Sequence, residues 1–176
     1  MYNRQDVRKK VTEVREINAE AFTYYVNAFS GTVFRTAVCF MKNKADADDI
    51  MQEVFLKLYT SGVCFESDAH AKAWLIKVTA NMCKNMLKTP WKRLIQPIET
   101  AEKLSVPEKS DISLPEIMMK LKSRNRIVLY MHYFEGYTTR EIAEILGIKE
   151  NAVTSQLYRG RKQLKDLLLK EGYDEL

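Results

Sequence analysis

The stretch Thr138–Lys165, TTREIAEILGIKENAVTSQLYRGRKQLK, decides the fold. Two short runs with apolar residues at threes and fours lie either side of Gly147. Side chains at that spacing share one helix face. Ile142 and Leu146 before the glycine, with Ile148, Val153 and Leu157 after it, therefore close one small core. Ala143 is small where two helices must come near, and Gly147 stands where the chain turns and a Cβ would crowd. Thr138 and Glu141 have the spacing of a capping box, each satisfying a backbone N–H near the other. The second run turns Asn151, Thr154, Ser155, Tyr158, Arg159, Arg161, Lys162 and Lys165 outward. A helix-turn-helix with a polar, basic second helix has the geometry that enters a DNA major groove. The same pattern also suits an ordinary helical hairpin with a solvated basic face.

Working towards the N-terminus, Leu114, Ile117, Met118, Leu121, Ile127, Val128, Met131 and Phe134 continue the helical periodicity, and Glu135-Gly136 ends it. Between 89 and 113 the pattern fails. Pro90, Pro97 and Pro107 break any long helix there, and four basic residues balance four acidic ones. A stretch of roughly 25 residues is too long for an ordinary loop inside one compact domain. The expected organisation is a tail or frayed helix over 1–18, a helical domain over 19–88, an extended linker over 89–113, and a second helical domain over 114–176.

Within 19–88, Phe22, Tyr25, Val26, Phe29, Val33, Phe34, Ala37, Val38 and Met41 predict a first helix, with Gly31 as a point of weakness or bending. Asn43 is a plausible cap for the next helix, and Asp46, Asp48 and Asp49 enrich its first turn, where the helix dipole favours acids. Ile50, Met51, Val54, Phe55 and Leu58 form its apolar stripe. Residues 60–69 read as a loop. A further helix follows to Lys88, with Trp74, Leu75, Val78, Met82 and Met86 inward.

Composition agrees with an all-α protein: only 6 Gly and 4 Pro in 176 residues, with 46% hydrophobic residues to fill a core. The formal charge of +5 permits nucleic-acid binding without requiring it. Cys39, Cys64 and Cys83 are widely spaced and His70 and His132 lie far apart, so no structural zinc site is expected. Unpaired thiols suit a reducing cytoplasm. The polar start MYNRQDVRKK reads as no signal peptide, and no apolar run is long enough to cross a bilayer.

No GK[ST], GxSxG or HExxH pattern is present, and neither a catalytic constellation nor a cofactor is expected. Asp46, Asp48, Asp49 and Glu53 have the chemistry of a metal site. A solvated first turn, or an acidic surface for a protein partner, is the simpler account. Phe65 and Trp74 bracket a loop, and Lys77, Asn81, Lys84, Asn85 and Lys88 recur on one face behind them, with Lys72 nearby. Lys and Asn can hold phosphates and read base edges, and aromatics can stack unpaired bases. On these residues alone, a core tryptophan among solvated lysines is the simpler reading.

Several of these segments, in this order, resemble the sigma-70 family of RNA polymerase sigma factors, in its compact extracytoplasmic-function group. FTYYVNAFSGTVFRTA (22–37) is similar to that family's opening helix, and ADADDIMQEVFLKLY (45–59) to its acidic polymerase-docking helix. AKAWLIKVTANMCKNML (71–87) is similar to its promoter-melting and −10-reading helix, and the run from Leu121 through YFEGYTTREIAEILGIKENAVTSQLYRGRKQL (133–164) to its −35-reading domain. The resemblance covers about residues 19–88 and 113–168. It implies that Asp48, Asp49, Gln52, Glu53 and Phe55 dock on a coiled coil of the largest subunit of core RNA polymerase. It also implies that Phe65, Lys72, Trp74, Lys77, Asn81, Lys84 and Asn85 serve the −10 element, the loop 60–72 taking an extruded base. Asn151, Thr154, Ser155, Tyr158, Arg159, Arg161 and Lys162 would serve the −35 element, and the linker would thread toward the polymerase active centre. A cognate anti-sigma factor is a further implied partner.

The sequence departs from the family pattern in places. Ile148-Lys149-Glu150 stands where a Ser or Thr cap is usual, and Thr154 and Gln156 replace a basic pair, which predicts fewer phosphate contacts. Ala80 is smaller than its usual counterpart, and the linker is less acidic. The rival readings are a stand-alone helix-turn-helix regulator that binds duplex operator DNA as a dimer, and, more remotely, a nuclease built on the clustered carboxylates.

Overall fold

The computed structural model describes residues 17–41, 43–88 and 114–173. Most of the expected tail, the whole of the expected linker and the last three residues lie outside these. Among the described residues there are seven helices: α1 (Ala19–Met41), α2 (Lys44–Thr60), α3 (Asp68–Lys88), α4 (Leu114–Met119), α5 (Ser123–Tyr133), α6 (Thr139–Leu146) and α7 (Glu150–Lys170). None of them is long and apolar enough to cross a membrane. The chain divides into two compact units, Met1–Cys83 and Lys84–Leu176. The break falls inside α3, whose last turn runs on to Lys88.

In the first unit α1 and α2 pack along one another. Tyr25, Phe29, Val33, Ala37 and Phe40 of α1 face Ala47, Ile50, Val54, Phe55 and Leu58 of α2 as a buried apolar layer. Gly31 does not interrupt α1, which is continuous from Ala19 to Met41. The Asn43 side chain accepts from the backbone N–H of Asp46 at 2.8 Å, so α2 starts where a capping residue allows it to. Ser67 plays the same part for α3, its Oγ accepting from the N–H of His70 at 3.1 Å. The buried face of α3 is Ala71, Leu75, Ile76, Val78, Thr79, Ala80 and Cys83. Trp74, Met82 and Met86, expected inward, are only half-buried. Leu75 and Val78 are inward as expected, and the rest of the face is Ile76 with the small Ala71, Thr79, Ala80 and Cys83, which the periodicity of large apolar residues missed. Buried Thr79 spends its hydroxyl on the carbonyl of Leu75 at 2.7 Å.

In the second unit α5 is the central helix, buried continuously from Asn125 to Met131. That includes Arg126, 1% exposed. Its guanidinium donates to the carbonyl of Met119 at 2.8 Å and that of Leu121 at 3.4 Å, the end of α4 and the turn beyond it. A cation there satisfies carbonyls that a helix end leaves without partners. Phe134, expected in the core, is 59% exposed beyond the end of α5. α6 begins on the expected capping box: Thr138 Oγ1 accepts from the N–H of Glu141, and the Glu141 carboxylate accepts from the N–H of Thr138 at 2.8 Å. Gly147 follows α6 with φ 64°. A Cβ there would meet nothing within 4 Å, so glycine serves the left-handed turn and not a crowded approach. The crowded approach is at Gly160, where a Cβ would lie 2.9 Å from Leu129 Cδ1. That contact sets how closely α7 lies on α5.

Candidate nucleic-acid interface

Three surfaces carry the residues singled out from the sequence. The first is the outer face of α2. Asp49, Gln52 and Glu53 are exposed there and Asp48 is half-buried. Phe55 is not on this face. It is 7% exposed and its ring meets that of Phe22 edge-on at 6.5 Å, so it belongs to the core. The face instead continues into Leu56, 63% exposed, and Tyr59, 58% exposed. Leu56 lies three and four residues beyond Glu53 and Gln52, a spacing that already puts it on the acidic stripe.

The second surface is α3 with the loop before it. Lys77, Asn81, Asn85 and Lys88 are exposed along one side of the helix, and Lys84 falls on the same side. Lys72 and Trp74 are half-buried. Phe65 again corrects the expectation: at 3% exposure it offers no face to a base. Its ring is held edge-on by Tyr25 at 5.3 Å, His70 at 5.5 Å and Trp74 at 5.6 Å. It anchors the loop 61–67 to the aromatic core. The Tyr24 hydroxyl donates to Asp68 Oδ2 at 2.7 Å and fixes the end of that loop to α1. Burial first, and Asp68 second, push the Tyr25 hydroxyl up to about 12, so it stays neutral. The residue that the sequence reading passed over here is His70, exposed, one helical turn before Trp74.

The third surface is α7. Val153, Leu157 and Gly160 face inward. Asn151, Thr154, Ser155, Tyr158, Arg159, Arg161 and Lys162 are all exposed. Asn151, Ser155, Tyr158 and Lys162 follow one another at threes and fours, which makes a single stripe along the helix. Thr154 Oγ1 donates back to the carbonyl of Glu150 at 3.2 Å, and Arg159 Nε to the carbonyl of Ser155 at 3.1 Å. Glu150 Oε1 accepts from Thr139 Oγ1 at 2.7 Å, which ties the start of α7 to the start of α6. Lys149 precedes α7 without a side-chain cap, as the missing Ser or Thr implies. Beside the later turns of α7, Leu114, Met118, Leu129, Tyr133, Phe134 and Leu168 line an apolar groove of about 380 Å³, with Arg161 and Lys165 at it as well. It draws on three separate helices, which no single periodic run reveals.

A basic helix on a helix-turn-helix, a Lys/Asn face beside an anchored loop, and an acidic face are the surfaces on which the expected site residues fall. The comparisons with known proteins identify the family. Residues 25–93 match the family model described as sigma-70 region 2, and residues 112–164 match that described as sigma-70, region 4. RNA polymerase sigma factor SigV of Bacillus subtilis is 31% identical over 141 residues, covering 78% of this chain and 85% of that protein. ECF RNA polymerase sigma factor SigW of the same organism is 25% identical over 183 residues, covering 92% and 98%. Among solved structures, the sigma factor RpoE in complex with the anti-sigma factor NepR, from Bartonella quintana, shares the fold with a TM-score of 0.66 at 19% identity, over 86% of this chain and 98% of that one. CnrH in complex with the cytosolic domain of CnrY does so with a TM-score of 0.63 at 21% identity, over 93% and 97%. The chain belongs to the sigma-70 family of RNA polymerase sigma factors, in its extracytoplasmic-function group.

Proposed function

We propose that this sigma factor divides promoter recognition among its three surfaces. The acidic face of α2, with Asp49, Gln52, Glu53 and the adjoining Leu56, docks on core RNA polymerase. The α3 face of Lys77, Asn81, Lys84 and Asn85 holds the melted −10 strand, with Trp74 and the loop before it receiving an extruded base. α7 enters the major groove of the −35 element. One observation carries this reading: Phe55 and Phe65 apart, most of the residues concerned are exposed outside the cores, while Asp48, Lys72, Trp74 and Lys84 are half-buried, Trp74 against Phe65 and Lys84 with its Nζ donating to the carbonyl of Leu146 at 2.7 Å.

The energetics fit a factor that works only in company. Extruding a base costs a few kcal/mol, and stacking it on an aromatic returns about 1–3 kcal/mol. Melting therefore accumulates only when polymerase adds contacts. A single helix-turn-helix with few phosphate contacts holds duplex weakly by itself. Linking the two units makes the second contact effectively intramolecular. The protein performs no chemistry; the polymerase does, in the cytoplasm where promoter DNA is found. A cognate anti-sigma factor that covers these surfaces is the second protein partner in this reading, since the sigma factor RpoE above is in complex with an anti-sigma factor.

The test is transcription in vitro by core polymerase, with and without this protein, across a library of promoter fragments. The expected result is a set of transcripts that need the protein and start a fixed distance from a shared two-part motif. A protein that supports no transcript, yet shifts a palindromic duplex alone, would instead be the stand-alone dimeric regulator.

A further inference from the structure

We infer that Tyr158 reads a thymine in the −35 element through the 5-methyl group of that base. The inference rests on the assignment of α7 to the −35 groove. At 69% exposure, Tyr158 is the most exposed large hydrophobic side chain among the described residues. It makes no hydrogen bond, ring contact or ion pair among them, so the fold has no use for it. A ring that the fold leaves uncovered is available to bury its apolar face against a partner, and that burial is favourable.

Its position says which partner. Tyr158 lies between Ser155 and Lys162 on the stripe that begins at Asn151. The exposed residues from the start of α7 to Tyr158 are Glu150, Asn151, Thr154, Ser155 and Tyr158, with Lys149 at the N-cap, and the cations Arg159, Arg161, Lys162 and Lys165 come after them. Base edges are read mainly by the N-terminal part of a recognition helix. Guanine is met there by Arg or Lys, adenine by Asn or Gln, and thymine by apolar contact with its methyl group. The turns of α7 from Glu150 to Tyr158 hold no cation to select guanine. They offer an unoccupied Asn amide, a Thr whose hydroxyl proton is already given to Glu150, and an aromatic ring. Among the groups exposed in the major groove, the thymine methyl is the one apolar patch that such a ring can cover.

The experiment uses holoenzyme assembled from core polymerase and the full chain, on a promoter selected from a random library. Scrambling the −35 element comes first: if initiation is unaffected, the assignment of α7 to that element fails, and this inference with it. If initiation falls, each −35 thymine is replaced in turn by deoxyuracil, which removes only the methyl group. One position should lose about fourfold in initiation, the value of one buried methyl. Tyr158→Ala should lower initiation on the thymine promoter and abolish the difference between thymine and uracil at that position. Tyr158→Phe should keep the difference, because the ring and not the hydroxyl makes the contact. Indifference to uracil at every position would overturn the inference. So would a Tyr158→Ala variant that still distinguishes thymine from uracil, or a Tyr158→Phe variant that does not.

Discussion

Arg126 carries a full charge into the second unit and is satisfied by backbone carbonyls of Met119 and Leu121. Hydrogen bonds to charged groups each contribute about 1.5–3 kcal/mol, so Arg126→Met should lower stability by about that amount in urea unfolding, although it adds an apolar side chain. Glu141 offers a second test. The backbone and side chain of Thr138 hold its carboxyl below the ordinary value of 4.5. A lowered folded value means that the cap's contribution is complete above the ordinary value and is lost as pH falls through the lowered one. Wild type should therefore lose stability over that acidic window relative to Glu141→Gln, and the two curves should run parallel near neutrality. The capping box was legible in the sequence because it is local: two residues three apart, each serving the other's backbone. Arg126 was not, because a charged residue among apolar neighbours is ordinarily a surface residue, and only the carbonyls at the end of α4 make it otherwise. Phe65 failed for a related reason. An aromatic in a loop has two sides to choose from, and the choice is made by Tyr25, forty residues earlier.

At the scale of elements, α7 does two things with one helix. Its inward side is shaved to glycine at position 160, where Leu129 lies against it. Leu129 is 2% exposed and has nowhere to go. Gly160→Val should cost about 1–3 kcal/mol by overpacking, visible as a lower denaturant midpoint. Its outer side should tolerate change far better: Ser155→Ala should shift the midpoint by less than about 0.5 kcal/mol. The helix-turn-helix was readable because its signals are dense and short-range: cap, turn glycine and apolar spacing within 28 residues. α3 was harder. Its extent was read to within a residue or two and Leu75 and Val78 were placed inward, but the buried face also takes in Ala71, Thr79, Ala80 and Cys83, side chains too small to mark a periodicity of bulk.

For the whole molecule, the separate surfaces imply separable defects. Glu53→Lys should weaken capture of core polymerase in a pull-down and leave the fold intact, because Glu53 is exposed. Arg161→Ala should instead leave core binding alone and reduce the salt dependence of promoter binding by about one unit of slope, as expected for one lost phosphate contact. The presence of two domains was legible from the prolines and charge balance of 89–113. The apolar groove on the second unit was not, because α4, α5 and α7 each supply only part of it. The bare stripe on α7 has a wider consequence. Asn151, Thr154, Ser155 and Tyr158 are all exposed, and the core beneath is closed by Val153, Leu157 and Gly160 without them. On the proposed assignment of α7 to the −35 element, mutation there can rewrite which promoters are chosen while foldability is hardly selected against. A gene duplicate of this chain could diverge to a new set of targets one substitution at a time, and every intermediate would still fold and still meet the same polymerase.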